Sequence, residues 1–175
     1  MNVRRELYVA ELTPEAFAPY GTVLGKPLPA AAGATAFSAP RSDFWREHVF
    51  AADGRDPEIL WVIYRDTDTH IDRLEMHTLT EQAVVPLTGD IIQIVAASTP
   101  AGAPDMATIR AFRVPVGKGL CMRLGCWHAT RVVAAESVCL MLTRASTTAD
   151  LIGHLDTGTA LVESAFADVA LKLHL

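Results

Sequence analysis

Several things are missing from this 175-residue chain, and each absence closes off a class of function. There is no surplus of positive charge. Lys and Arg total 15 against 20 Asp and Glu, the formal net charge is −5, and no basic cluster stands out, so nucleic acid is not an expected partner. No apolar run approaches the ~18 residues that a membrane span needs. The opening MNVRRELYVAELTPEAF has two arginines but no apolar segment behind them, so it does not read as a secretory signal, and a cytoplasmic location is expected. Cysteine is scarce. Cys121, Cys126 and Cys139 are odd in number and lack a short paired spacing, which argues against a disulfide framework or a zinc knuckle and leaves reduced, buried thiols. No GxGxxG or Walker sequence opens a helix, and no unit of 20 to 50 residues repeats.

What remains is half apolar and 20% charged, enough for one core, and residues 1–175 read as a single domain. Leu7 to Leu12 reads as a strand. Thr13-Pro14-Glu15 starts a short helix, with Thr13 as N-cap, Pro14 at the first helical position and an acid in the first turn. That helix is expected over Pro14 to Tyr20, ended by Gly21. Lys26 to Ala39, rich in Ala, Pro and Gly, reads as a loop.

Short apolar runs rich in β-branched residues then follow, at 58–64, 82–87, 91–97, 108–114, 120–124 and 138–143. Turn signals separate them at Thr88-Gly89-Asp90, Pro100 to Pro104 and Gly117-Lys118-Gly119, so an all-β sandwich or barrel with a few flanking helices is expected. Near the end, Leu161-Val162, Ala165-Phe166 and Val169-Ala170 pair up every four residues. That spacing predicts an amphipathic C-terminal helix at about 158–172, packed on the barrel or on a second subunit.

One stretch carries chemistry, EMHTLTEQAVVPLTG at 75–89. On a strand, i and i+2 share a face, so Glu75 and His77 project together. A four-residue hairpin loop at Thr78–Glu81 would set Gln82 opposite His77, with Cβ atoms about 5 Å apart. A carboxylate, an imidazole and an amide oxygen suit a divalent ion of mixed oxygen and nitrogen preference. A fourth donor, His128, ends the later segment GKGLCMRLGCWH, where Gly125 permits a tight bend.

These two blocks resemble the paired motifs of the cupin superfamily. Glu75-x-His77-x4-Gln82-x6-Gly89 follows the first, with Glu for its first His and Gln for its Glu. Gly117-x5-Arg123-x-Gly125-x2-His128 follows the second, with Arg for its Pro and no closing Asn. Within that group the chain is similar to the ureidoglycolate lyase family, over roughly Leu12 to Arg144. The residues that carry the likeness are Leu12 to Gly21, Gln82-Ala83, Pro86 to Gly89, Ile109 to Phe112, Gly125 to His128 and Arg144.

The resemblance implies a cupin double-stranded β-barrel (jelly roll), a homodimer and cleavage of ureidoglycolate to glyoxylate and urea, a carbon–nitrogen lyase step of allantoin and purine breakdown. It implies a divalent metal held by Glu75, His77, Gln82 and His128, with nickel, manganese, zinc and iron not distinguished. Glu75, His77 and His128 are the expected catalytic residues. Arg123, and after it Arg144 and Lys118, are expected to bind the small anionic substrate. The chain departs from the family at Met76, Arg123, Leu124 and Ala129, and in the segment Ser38 to Ser42. Within the same frame stand two alternatives: another metal-dependent enzyme of small organic acids, and a module that binds such an acid without catalysis.

Overall fold

Period-two alternation decides most of this architecture. A computed structural model describes residues 4–30 and 33–175. In chain order these form β1 (Arg5–Glu11), α1 (Pro14–Phe17), β2 (Gly21–Leu24), β3 (Ala36–Ala39), β4 (Ser42–Trp45), β5 (Pro57–Tyr64), β6 (His70–His77), β7 (Gln82–Pro86), β8 (Ile91–Ala96), β9 (Arg110–Val114), β10 (Gly119–Met122), β11 (Trp127–Val132), β12 (Ser137–Arg144), α2 (Ala145–Thr157) and β13 (Ser164–His174). Six strands close into a barrel in the order β1-β13-β6-β11-β8-β9. Five others form a sheet in the order β2-β10-β7-β12-β5, and β3 and β4 make a separate hairpin.

Two cores follow. Inside the six-stranded ring pack Leu7, Ile71, Leu74, Ile92, Ile94, Ala111, Trp127 and Leu171. Between the ring and the five-stranded sheet pack Phe17, Val84, Ile91, Val95, Phe112, Leu120, Met122 and Met141. β8 serves both cores, even-numbered residues to one and odd-numbered to the other, and every one of its six residues is buried. A strand buried on both faces reads as an unbroken apolar run, which is what IIQIVA is, apart from Gln93. The barrel with flanking helices and the jelly-roll character expected from the sequence are present.

Four local expectations need correction. The first helix is one turn shorter than expected. Thr13 Oγ1 caps it by accepting from the Ala16 N–H at 3.2 Å, but after Phe17 the chain turns, with the Tyr20 N–H on Phe17 O at 2.9 Å. Gly21 then opens β2 pressed against β10, where a Cβ would lie 1.9 Å from Cys121 O, so no side chain fits. The Lys26–Ala39 loop ends in β3, and its residues 31–32 lie outside the described residues, as do residues 1–3 of the N-terminal reading.

The predicted C-terminal helix at 158–172 is instead strand β13. It pairs antiparallel with β6 and parallel with β1. A register shift between Asp168 and Leu171 breaks its alternation, so its apolar residues fall out of period two and imitate a helical stripe. The helix lies earlier, at Ala145–Thr157, closed by Gly158 in the left-handed region at φ 72° with its N–H on His154 O. Finally, β6 and β7 are not a hairpin. They belong to different sheets, and residues 78–81 carry the chain from one to the other.

Candidate functional site

That crossing is what builds the site. Along β6, Leu74 and Met76 point into the ring, so Glu75 and His77 point the other way, toward the five-stranded sheet. Along β11, Trp127 points into the ring and His128 does not. β11 meets β6 at one pair, His128 opposite Glu75, so both histidines and the acid emerge at the seam where the ring closes. From the facing sheet β7 brings Gln82, β5 brings Leu60, Val62 and Tyr64, and β12 brings Met141 and Thr143. The first turns of α2 bring Thr147, Thr148 and Leu151. These residues, with Glu75 and His77, enclose a cavity of ≈ 240 Å³ with apolar walls and a polar floor.

The floor is tightly wired. His128 Nε2 lies 3.1 Å from Glu75 Oε1, and His77 Nε2 lies 3.9 Å from the same oxygen. The two imidazole centres are 5.2 Å apart. His128 Nδ1 faces Cys126 O at 3.0 Å, and His77 Nδ1 faces Ser164 Oγ at 3.0 Å. A backbone carbonyl only accepts, so His128 Nδ1 carries the proton there, which leaves the Nε2 lone pair aimed at Glu75. A lone pair and a carboxylate at 3.1 Å need a cation between them, either a proton or a metal ion.

The charge states follow from that wiring. Burial alone would raise the Glu75 pKa, but the hydrogen bond and charge of His128, with His77 beyond, outweigh it and hold the carboxyl below its ordinary value. Burial, helped by His128, pushes His77 down to about 4, so it is neutral at physiological pH. Burial raises the Tyr64 phenol above its usual range, against the pull of a hydrogen bond with Thr130, and keeps it protonated.

Glu75, His77 and His128 each offer one ligand atom, all within 4.8 Å of one another. With their outer nitrogens already fixed, the histidines are oriented as metal ligands usually are. The donor set fits a divalent metal. Gln82 is in the cluster as expected, but its amide nitrogen lies 3.0 Å from His77 Nε2, so the amide N–H donates to the imidazole. In this arrangement Gln82 orients His77, and it offers its oxygen to an ion only when the amide turns over.

The expected substrate arginines and lysine are placed elsewhere. Arg123 is exposed on the bend after β10 and donates to Ala18 O at 2.5 Å, outside the cavity. Lys118 donates to Gly25 O and lines a separate, larger and mostly apolar cavity of ≈ 570 Å³ with Val9, Leu12 and Val23. Arg144 is buried at the N-cap of α2, but its guanidinium faces Glu163 at 3.5 Å and Asp53 at 3.8 Å. Each follows from tertiary position, which motif spacing does not encode. Sequence reasoning passed over Tyr64, Thr143, Thr147, Thr148 and Ser164. For Tyr64 a signal existed, since alternation in EILWVIY sets Leu60, Val62 and Tyr64 on one face.

Comparison with known proteins adds an independent line. A family profile described as Ureidoglycolate lyase matches residues 4–160. A protein of Pseudomonas putida named ureidoglycolate lyase is 33% identical over 132 residues, covering 71% of this chain and 75% of that protein. One of the same name from Rhodobacter capsulatus is 32% identical over 123 residues, covering 70% and 75%. Among solved structures, the TDP-quinovose 3,4-ketoisomerase of Campylobacter jejuni aligns with a TM-score of 0.44 at 13% identity, over 70% of this chain and 83% of that one. A dTDP-4-dehydrorhamnose 3,5-epimerase from Elizabethkingia anophelis aligns at 0.41 and 12%, over 71% and 74%. Neither structural likeness bears on the chemistry.

Proposed function

The chain belongs to the ureidoglycolate lyase family, and from that premise we propose that the Glu75–His77–His128 cavity cleaves ureidoglycolate to glyoxylate and urea. The observation that carries the reading is the convergence of one acid and two imidazoles, with ligand atoms within 4.8 Å of one another, at the floor of a small cavity that Glu75 and His77 line. Ureidoglycolate bears a hydroxyl and a ureido nitrogen on the same carbon. The O–H bond must break as C=O forms, the C–N bond must break, and the departing nitrogen must gain a proton. Donor and recipient of the proton sit on one carbon, so a single carboxylate can take it from the oxygen and return it to the nitrogen.

Glu75 is placed for that task. It is ionised, because its pKa is held low, and it is fixed by His128. A divalent metal held by Glu75, His77 and His128 would polarise the substrate hydroxyl and lower its pKa. His77 stays neutral and Ser164 holds its ring at Nδ1, while the Nε2 lone pair, which accepts from the Gln82 amide here, would pass to the metal once that amide turns over. Leu60, Val62, Met141 and Leu151 keep water from the reacting carbon.

With Arg123, Arg144 and Lys118 turned elsewhere, the substrate carboxylate is best met at the start of α2. Thr147 and Thr148 line the cavity in the helix's first turn; Thr147 Oγ1 already donates to Glu163 Oε2 at 2.6 Å, which leaves the Thr148 hydroxyl to meet the carboxylate there. The Thr143 hydroxyl, buried without a partner among the described residues, lies next to them. Incubating metal-loaded protein with ureidoglycolate should release glyoxylate and urea in equal amounts. Ammonia in place of urea, or unchanged substrate, would overturn the reading. This is the carbon–nitrogen lyase class, of the amidine-lyase type.

A homodimer belongs to the same proposal, by a different contact than the C-terminal helix, since that segment is a strand. The outer face of the five-stranded sheet exposes Ile59, Trp61 and Ile63 in register with Leu142, Leu140 and Val138. An apolar stripe of this kind is uncommon on a lone domain, and a second copy would present the same stripe to it.

A further inference from the structure

A second donor cluster lies on the opposite side of the five-stranded sheet. On β10, Leu120 and Met122 point into the core, so Cys121 between them points outward. At the start of β7, Gln82 points in toward His77, so Glu81 also points outward. The segment before β5 crosses this outer face and delivers His48, whose Nε2 lies 2.8 Å from Glu81 Oε2. One ligand atom from each of His48, Glu81 and Cys121 lies within 4.8 Å of the others. None of the three takes part in the catalytic cluster.

We propose that His48, Glu81 and Cys121 form a second metal site that takes a zinc-like divalent ion, with the fourth position open to solvent. The donor types support it. Thiolate, imidazole and carboxylate together are a zinc set, and hard ions such as magnesium or calcium do not favour sulfur. The geometry supports it as well. Zinc bonds of about 2.0–2.3 Å place ligand atoms roughly 3.5 Å apart, so the 2.8 Å His48–Glu81 hydrogen bond would open by under about an ångström, its imidazole proton moving to Nδ1. The longer edges close by about an ångström, through a surface segment that can give.

Glu81 is also held from behind, since the Ala51 N–H donates to the same Oε2 at 2.8 Å and the Glu81 N–H donates to Ala51 O at 3.1 Å. Such outer contacts orient a ligand before the ion arrives. An entry path exists, because the side chains of His48 and Glu81 are 28% and 13% exposed. Metal binding replaces the Cys121 thiol proton, which leaves to solvent. The buried thiol's raised pKa, pushed up to about 12, makes that exchange favour higher pH. The ion would pin the His48–Ala51 segment to the sheet.

Cobalt(II) titration of the chelator-treated full chain tests this, because a cobalt–thiolate bond gives a near-ultraviolet charge-transfer band that imidazole and carboxylate ligands do not. The band should rise and saturate by two equivalents in the wild-type chain, which also fills the other cluster, saturate at one equivalent in a His77→Ala/His128→Ala double variant, and vanish in Cys121→Ser. His48→Ala, a change in a partly exposed surface segment that leaves the fold intact, should weaken cobalt affinity at this site by at least roughly tenfold without altering ureidoglycolate turnover. Absence of the band in the wild-type chain would overturn the proposal. So would its survival in Cys121→Ser, or an unchanged affinity in His48→Ala. None of these results touches the catalytic reading, which rests on other residues.

Discussion

Replacing Glu75 by Gln asks more of this account than any other single change. The amide has nearly the volume of the carboxyl, and its N–H can donate to the His128 Nε2 lone pair where Glu75 Oε1 now lies 3.1 Å away. Packing is therefore preserved, and what disappears is a negative charge and a proton acceptor. Glu75 lies opposite His128 across the seam, faces both imidazoles and lines the cavity. A positioned general base is worth about 10²–10⁴-fold in rate. At ~1.36 kcal/mol per decade, that places the barrier about 3–5 kcal/mol higher in the variant. The charge also helps to hold the metal, so kcat and metal content must be measured on the same preparation. We expect kcat for glyoxylate release to fall by at least about 10²-fold even when metal is restored to the wild-type level. A Glu75→Gln protein that turns over at the wild-type rate would remove Glu75 from proton transfer and, with it, the reasoning from the floor of the cavity.

Acid should weaken the metal-free protein through the same residues. His77 has a folded pKa near 4 against 6.5 in the unfolded chain, so the unfolded state takes up a proton first as pH falls. Stability present above about pH 6.5 should drain away toward pH 4, by up to about 3 kcal/mol, and Glu75, also depressed, adds a loss in the same direction at lower pH. Urea midpoints across that window should show the slope, and His77→Gln should flatten it. Ser164→Ala, which strips His77 Nδ1 of its partner, should weaken metal binding at the catalytic site by about 10–100-fold, read by competition with a chelating dye. An unchanged affinity would mean that the ring is held by other contacts. Trp61→Lys should convert a dimer to a monomer in sedimentation velocity while glyoxylate release per chain persists, and a dimer that survives it would place the contact away from this sheet face.

The Glu75–His77 pair was legible in the sequence because it rests on a short-range rule. Glu75 and His77 share a face by strand alternation alone, and Gly125 before His128 marks the bend that swings the second histidine in. Gln82 was identified for the wrong geometric reason. The expected hairpin does not form, and the amide reaches His77 because two sheets face each other across the cavity. Pairing of that kind depends on which strands join which sheet, and residues 75–89 hold no trace of it. The C-terminal segment misled through its bulge, since apolar residues displaced by a register shift repeat much as a helix would repeat them. The long cations failed for a related reason. Arg123, Lys118 and Arg144 lie close in sequence to site elements, yet a long side chain goes to whatever acceptor its backbone position offers. Here the acceptors are Ala18 O, Gly25 O and Glu163.

The most direct measurement compares the wild-type chain with His128→Ala for bound metal and for glyoxylate release from ureidoglycolate. The account predicts that the variant loses one metal ion per chain and that release drops to background, the two falling together. Glyoxylate release at the wild-type rate from a His128→Ala protein would contradict it, because the imidazole at the seam of the barrel would then have no part in the chemistry.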